Sequence, residues 1–71
     1  MALKKMISLS KLKSGYTQYV DYGDTRTTLG MDNGEFEIRT YIGQRKIRMN
    51  KTRSYNKAVS YFKQHVKQFF K

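Results

Sequence analysis

The sequence predicts an α+β domain: an antiparallel four-stranded meander packed on one C-terminal amphipathic helix. Two observations predict it. Turn pairs recur at Ser14-Gly15, Gly23-Asp24, Asn33-Gly34 and Gly43-Gln44, with short runs rich in Tyr, Thr, Val, Ile and Phe between them. That is the spacing of hairpin-linked strands. From Ser54 onward the apolar residues switch to a helical period.

Each element follows in chain order. Residues 1–13 carry Ile7 and Leu9 alternating with Ser8 and Ser10, together with Lys4, Lys5, Lys11 and Lys13. They read either as a fifth, edge strand or as a flexible arm, ahead of a single basic domain over 14–71. Strands are expected near 16–22, 25–31, 35–42 and 45–49. Asn33-Gly34 is the strongest turn signal, because both residues tolerate the positive φ of a type I′ turn, and Gly43 in first position suits type II′.

Two-residue loops fix the register: Tyr22 opposite Thr25, Asp32 opposite Glu35, Ile42 opposite Arg45. Strict alternation then sorts the faces. One face collects Tyr16, Gln18, Val20, Tyr22, Thr27, Leu29, Met31, Phe36, Ile38, Thr40, Ile42, Ile47 and Met49. The other collects Thr17, Tyr19, Asp21, Arg26, Thr28, Glu37, Arg39, Tyr41, Lys46 and Arg48. Three separate turn placements thus yield one apolar and one polar face.

In the C-terminal segment, Tyr55, Ala58, Val59, Phe62, Val66, Phe69 and Phe70 fall in a stripe about 120° wide at helical spacing. Ser54 is the expected N-cap. The stripe needs a partner, and the apolar face of the sheet supplies it.

Composition bounds the function. The chain has 71 residues, no cysteine, proline or tryptophan, and a formal net charge of +10. A thiolate metal site, a disulfide and a cysteine nucleophile are excluded. No apolar run is long enough to span a membrane, and the first residues lack the apolar core of a signal peptide, so the expected location is the cytoplasm. The helix has lysines on one side and phenylalanines on the other, as an interfacial membrane helix does. The same stripe is needed to cover the sheet, so no membrane partner is expected. No cofactor, metal site or catalytic residue is expected either. His65 has no carboxylate three or four residues away, the acids cluster at hairpin ends where they form turns, and no phosphate-loop, zinc or Ser/His/Asp pattern occurs. The expectation is a binding protein rather than an enzyme.

Charge is divided unevenly. In residues 1–37, Lys4, Lys5, Lys11, Lys13 and Arg26 balance Asp21, Asp24, Asp32, Glu35 and Glu37. Residues 38–71 hold ten Lys/Arg and no acid. Such a concentration of one sign repels itself unless a polyanion offsets it, and charge asymmetry of this kind points to nucleic acid.

The expected interface is the solvent-facing side of the sheet, with Arg26, Arg39, Tyr41, Lys46 and Arg48. Regular alternation puts Arg39 opposite Arg48 and Tyr41 opposite Lys46. Like charges so placed are unfavourable, unless phosphates or guanine edges lie between them. Lys51, Arg53 and Lys57 surround the start of the helix. The helix dipole disfavours bases there, and a phosphate would reverse that, whereas Thr52 and Ser54 acting simply as caps is the plain alternative.

The stretch Gly34-Glu35-Phe36-Glu37-Ile38-Arg39, then Ile42-Gly43-Gln44-Arg45-Lys46-Ile47, then Thr52, Ala58 and Tyr61-Phe62 resembles the AP2-like DNA-binding domains of phage integrases, homing endonucleases and plant regulators. The resemblance covers residues 35–66. It implies a sheet laid into the major groove with a helix behind it, and Arg39, Tyr41, Lys46 and Arg48 facing the groove. The small size and Lys/Tyr-rich composition also look like those of phage or mobile-element proteins. Double-stranded DNA is therefore the expected partner. The alternatives are RNA or a single strand stacked on Tyr19 and Tyr41, and a phage-type inhibitor of a host nuclease, polymerase or nucleoid factor.

Overall fold

The computed structural model describes residues 9–70. A short helix α1 (Leu9–Lys13) leads into four strands, β1 (Gln18–Tyr22), β2 (Thr25–Asp32), β3 (Glu35–Ile42) and β4 (Arg45–Thr52), and a long helix α2 (Tyr55–Phe69). The strands form one antiparallel sheet in the order β1-β2-β3-β4, with α2 packed on one face. This is the α+β meander-and-helix architecture that the sequence predicts.

Turn chemistry sets the hairpins. Asn33 and Gly34 have φ of 52° and 79°, and Gly43 has φ of 62°, so the positive-φ residues sit where the two-residue loops need them. The expected pairs Tyr22 with Thr25, Asp32 with Glu35, and Ile42 with Arg45 all occur. The tips of the first and third hairpins are joined by a bond from the Gly43 amide to the Asp24 carbonyl, 2.9 Å.

The core lies between the sheet and α2. Val20, Leu29, Phe36 and Ile38 from the strands meet Ala58, Phe62 and Val66 from α2, and Leu12 of α1 closes the cluster. Phe62 is fully buried. The α2 N-terminus is capped as expected: the Ser54 hydroxyl accepts from the Lys57 amide at 3.3 Å, and Thr52 Oγ1 accepts from the Ser54 amide at 3.2 Å. At the other end, Phe70 stacks on Tyr22 with ring centroids 5.9 Å apart.

Three expectations fail. First, Leu9–Lys13 is helical, not an edge strand, because Leu12 gains full burial against the core by coiling; residues 1–8 lie outside the described residues. Second, Tyr16, Tyr22 and Ile42 are exposed rather than in the core. Tyr16 precedes β1, and Tyr22 and Ile42 sit in the last row of the sheet, where α2 ends. Third, β4 runs to Thr52 instead of ending at 49, and it carries a bulge.

The bulge falls between Thr40 and Tyr41 on the β3 side. Tyr41 pairs with Lys46 but Thr40 pairs with Arg48, so Ile47 is the extra residue. Every β4 side chain beyond it changes face relative to strict alternation. Arg48 now lies on the α2 side, where its Nη1 donates to Gln68 Oε1 at 2.6 Å. Met49 turns outward opposite Arg39, Asn50 turns inward opposite Ile38, and Lys51 faces Glu37. Ile47 and Met49 are exposed and contribute nothing to the core. The bulged register replaces an Arg39/Arg48 pair of like charge with a Glu37/Lys51 pair of opposite charge. It also brings Asn50 to the one buried histidine.

That histidine is part of a polar chain through the core. Thr27 Oγ1 and Thr40 Oγ1 are 2.7 Å apart, Thr40 Oγ1 is 2.7 Å from His65 Nδ1, and His65 Nε2 is 2.7 Å from Asn50 Oδ1. The Asn50 oxygen only accepts, so Nε2 carries the proton, Nδ1 accepts from Thr40, and Thr40 accepts from Thr27. Thr27, Thr40 and His65 are fully buried, and this directed chain satisfies each of them.

Candidate nucleic-acid interface

The face of the sheet opposite α2 is built in rows across the strands. Asp21, Arg26, Tyr41 and Lys46 form one row; Tyr19, Thr28, Arg39 and Met49 the next; Gly30, Glu37 and Lys51 the third. Five of the eight expected site residues therefore share this surface: Arg26, Arg39, Tyr41, Lys46 and Lys51. Arg53, in the connection to α2, and Lys57, in the first turn of α2, are exposed beside the third row's end of the sheet. Arg48 is the one placed elsewhere, for the reason just given.

The outer face is less cationic than the residue count suggests. Arg26 grips Asp21 with two bonds, Nε to Oδ1 at 2.6 Å and Nη2 to Oδ2 at 2.9 Å. Its guanidinium also lies over the Tyr19 ring, 4.6 Å from Cζ to the centroid. The guanidinium's hydrogen bonds hold the Asp21 carboxyl below the ordinary carboxylate range, and the carboxylate in turn raises Arg26. Both partners are well exposed, so the pair contributes little to stability and opens readily.

Arg39 is held differently. Its Nη2 donates to both oxygens of Glu37, at 2.6 and 2.8 Å, and Lys51 Nζ stands 4.0 Å from Glu37 Oε1. Hydrogen bonds to Glu37 and then to Tyr41 raise the guanidinium above its ordinary range. Glu37 is buried although it belongs to the solvent-facing side. Arg39 Nε is buried with no hydrogen-bond partner. Beside this pair, Thr17, Thr28, Gly30, Met31 and Asp32 complete the lining of a shallow recess.

What remains strongly basic is the β4 margin. β4 is a terminal strand of the sheet, and Arg45, Lys46, Arg48 and Lys51 lie along it, followed by Arg53 and Lys57, with no acid from 38 onward. Arg45, Lys46, Lys51, Arg53 and Lys57 are all exposed. Among the described residues the ion pairs are Arg26–Asp21, Arg39–Glu37 and Lys51–Glu37, so the margin keeps most of its charge. The Thr52 and Ser54 hydroxyls act as caps at the start of α2.

Two features were not among the expectations from the sequence. The Arg39–Glu37 pair joins residues two apart on one strand, and the signal for it was present in their shared face. The relocation of Arg48 and the exposure of Met49 follow from the bulge, for which β4 offers no glycine or proline as a marker. No protein family, curated protein or solved structure matches the chain. No helix among the described residues is long and apolar enough to cross a membrane.

Proposed function

We propose that this chain is a small basic nucleic-acid-binding protein whose preferred ligand is double-stranded DNA. The observation that carries the reading is the concentration of exposed cations on the β4 margin, all but Lys51 without an acidic partner among the described residues, next to a polar sheet face. Backbone phosphates are the natural partners of Arg45, Lys46, Lys51, Arg53 and Lys57. In this placement the outer face enters the major groove, which admits strands, and α2 stays behind the sheet. That is the docking implied by the AP2-like resemblance, with the centre of charge moved from the middle of the face to its β4 side. Arg39 and the exposed Met49 then sit over base edges, the one suited to guanine and the other to a thymine methyl group.

The test is fluorescence anisotropy with a labelled 20-base-pair duplex between 50 and 300 mM salt. Neutralising five phosphates gives a slope of log K on log[salt] of roughly −4.5, or about a 500-fold loss between 50 and 200 mM. The double variant Lys46→Ala/Lys51→Ala is expected to flatten the slope by about 1.8. Arg48→Gln is expected to leave it unchanged. A slope near zero for the unmodified chain overturns the reading. One observation favours a second ligand: Tyr19 and Tyr41 flank Arg26 on the outer face, which suits stacked bases of a single strand. Competition of the duplex with single-stranded DNA and RNA of the same sequence decides between them.

A further inference from the structure

We propose that Glu37 is a positioning residue for base readout, holding the Arg39 guanidinium flat on the outer face so that its remaining N–H groups meet O6 and N7 of a guanine. The inference rests on the duplex reading above and assigns the specificity of that same surface.

Three observations carry it. Glu37 is only 5 % exposed, on a face where every other charged side chain reaches solvent. A carboxylate on a solvated sheet face has no need to be buried, and burial is costly unless the group is paired. Here both oxygens are taken by one nitrogen, Nη2 of Arg39. A guanidinium has five N–H donors in a rigid fork, so Glu37 fixes its orientation without exhausting it. Arg39 Nε is itself buried and without a partner, so the donors that face a base are the ones that Glu37 and Tyr41 leave open on the two terminal nitrogens.

The third observation is shape. Gly30 stands opposite Glu37 in the neighbouring strand. A Cβ there would come within 3.0 Å of Thr17 Oγ1. Thr17 occupies the place that a side chain on Gly30 would take, and Thr17, Thr28, Gly30 and Met31 line a recess together with Glu37 and Arg39. A base edge brought in by the major groove meets a pre-oriented fork at the rim of that recess. Fixing a long side chain before binding reduces the ordering cost at the moment of contact. It also makes the readout selective, because a guanine offers two acceptors in the geometry of the fork and the other bases do not. Lys51, 4.0 Å from Glu37, keeps the carboxylate from repelling the DNA.

The experiment is selection from a 20-base-pair duplex pool randomised at six central positions, at 150 mM salt, with the full chain, Glu37→Gln and Arg39→Lys. The unmodified chain is expected to enrich guanine at one position by about tenfold to a hundredfold, the discrimination of a good bidentate contact. Glu37→Gln is expected to bind the unselected pool at least as tightly, having lost a negative charge, while the guanine preference collapses. Arg39→Lys keeps the charge and the salt slope but loses the fork, and it is expected to lose the preference too. If Glu37→Gln retains the guanine enrichment, Glu37 is merely a structural partner and the proposal fails. It fails also if the unmodified chain binds the pool with no base preference, an outcome that leaves the duplex reading standing. Absence of binding to the pool removes both. Should Glu37→Gln prove unfolded by circular dichroism, retention of the preference by Arg39→Lys overturns the proposal by itself.

Discussion

Lowering the pH from 7 to 4.5 is expected to destabilise the domain by about 2.5 kcal/mol through His65 alone. The imidazole is fully buried between sheet and α2. Burial, and then the positive charge of Arg48, push its pKa from 6.5 down to about 4. A folded-state pKa below the unfolded one means that the unfolded chain takes up the proton first. Stability is therefore full above pH 6.5 and is lost as the pH falls toward 4. Complete loss amounts to about 3.4 kcal/mol at 1.36 kcal/mol per pH unit. For a domain of this size the change at pH 4.5 corresponds to a fall in Tm of roughly 10–20 °C. The assay is thermal unfolding by circular dichroism at half-unit pH steps, on the unmodified chain and on His65→Gln. The glutamine amide accepts from Thr40 and donates to Asn50 but does not titrate in this range, so subtracting its profile removes the carboxylates, Asp21 among them. A flat profile for the unmodified chain between pH 6.5 and 4.5, or an equal slope in both proteins, refutes the reasoning. Arg48→Gln gives a check on the cause: without the neighbouring charge the His65 pKa rises, so the loss still begins near pH 6.5 but is smaller and ends at a higher pH.

Thr40 is the middle link of the buried chain and Thr27 its end, so Thr40→Val is expected to cost about 2–4 kcal/mol and Thr27→Val about 1, since only the first strands two buried partners. Urea unfolding midpoints give both numbers, and equal costs would mean that the chain is not directed as described. Phe62→Ala empties the centre of the core and is expected to cost about 3–5 kcal/mol, a large part of the roughly 4–10 kcal/mol that a domain of this length possesses; an unchanged Tm would show that the α2 stripe is not buried.

Three of the four strands and the long helix are legible because local signals and global packing agree. Asn33-Gly34 and Gly43 demand positive φ, the alternation on either side of them points one way, and the α2 stripe has the width to cover what that alternation exposes. The Asp21–Arg26 pair is legible too, since the Gly23-Asp24 turn alone sets them opposite each other. The residues that resist prediction are those whose position depends on contacts distant in the chain. Leu12 enters a helix because the core accepts it, not because five residues favour one. His65 stands between Gln64 and Val66 at the edge of the apolar stripe, a place that by itself does not tell a surface residue from a core one. Its partners Thr40 and Asn50 come from two different strands. Arg48 is misplaced by counting because the count assumes no extra residue, and the reasons for the extra residue lie on β3 and α2.

Those reasons are open to a direct trial by two single-residue deletions two positions apart. Removing Ile47 deletes the bulged residue itself. Lys46 stays opposite Tyr41 and Arg48 opposite Thr40, so every pair from Arg48 to Thr52 survives and the strand regains a simple period of two. The loss is limited to the extra twist that a bulge imparts, and the variant is expected to fold with Tm lowered by less than about 10 °C. Removing Met49 instead keeps the bulge but turns Asn50, Lys51 and Thr52 over. The Nε2–H of His65 then loses its acceptor, Glu37 loses Lys51, and a lysine is carried under α2 where a buried unpaired charge costs several kcal/mol. That variant is expected to be unfolded at 25 °C. In the unbulged register that alternation from the turn predicts, either deletion inverts every position beyond it, so deleting Ile47 would be no milder than deleting Met49. An unfolded Ile47 deletion would therefore show that β4 runs in the unbulged register, with Arg48 beside Arg39 on the outer face.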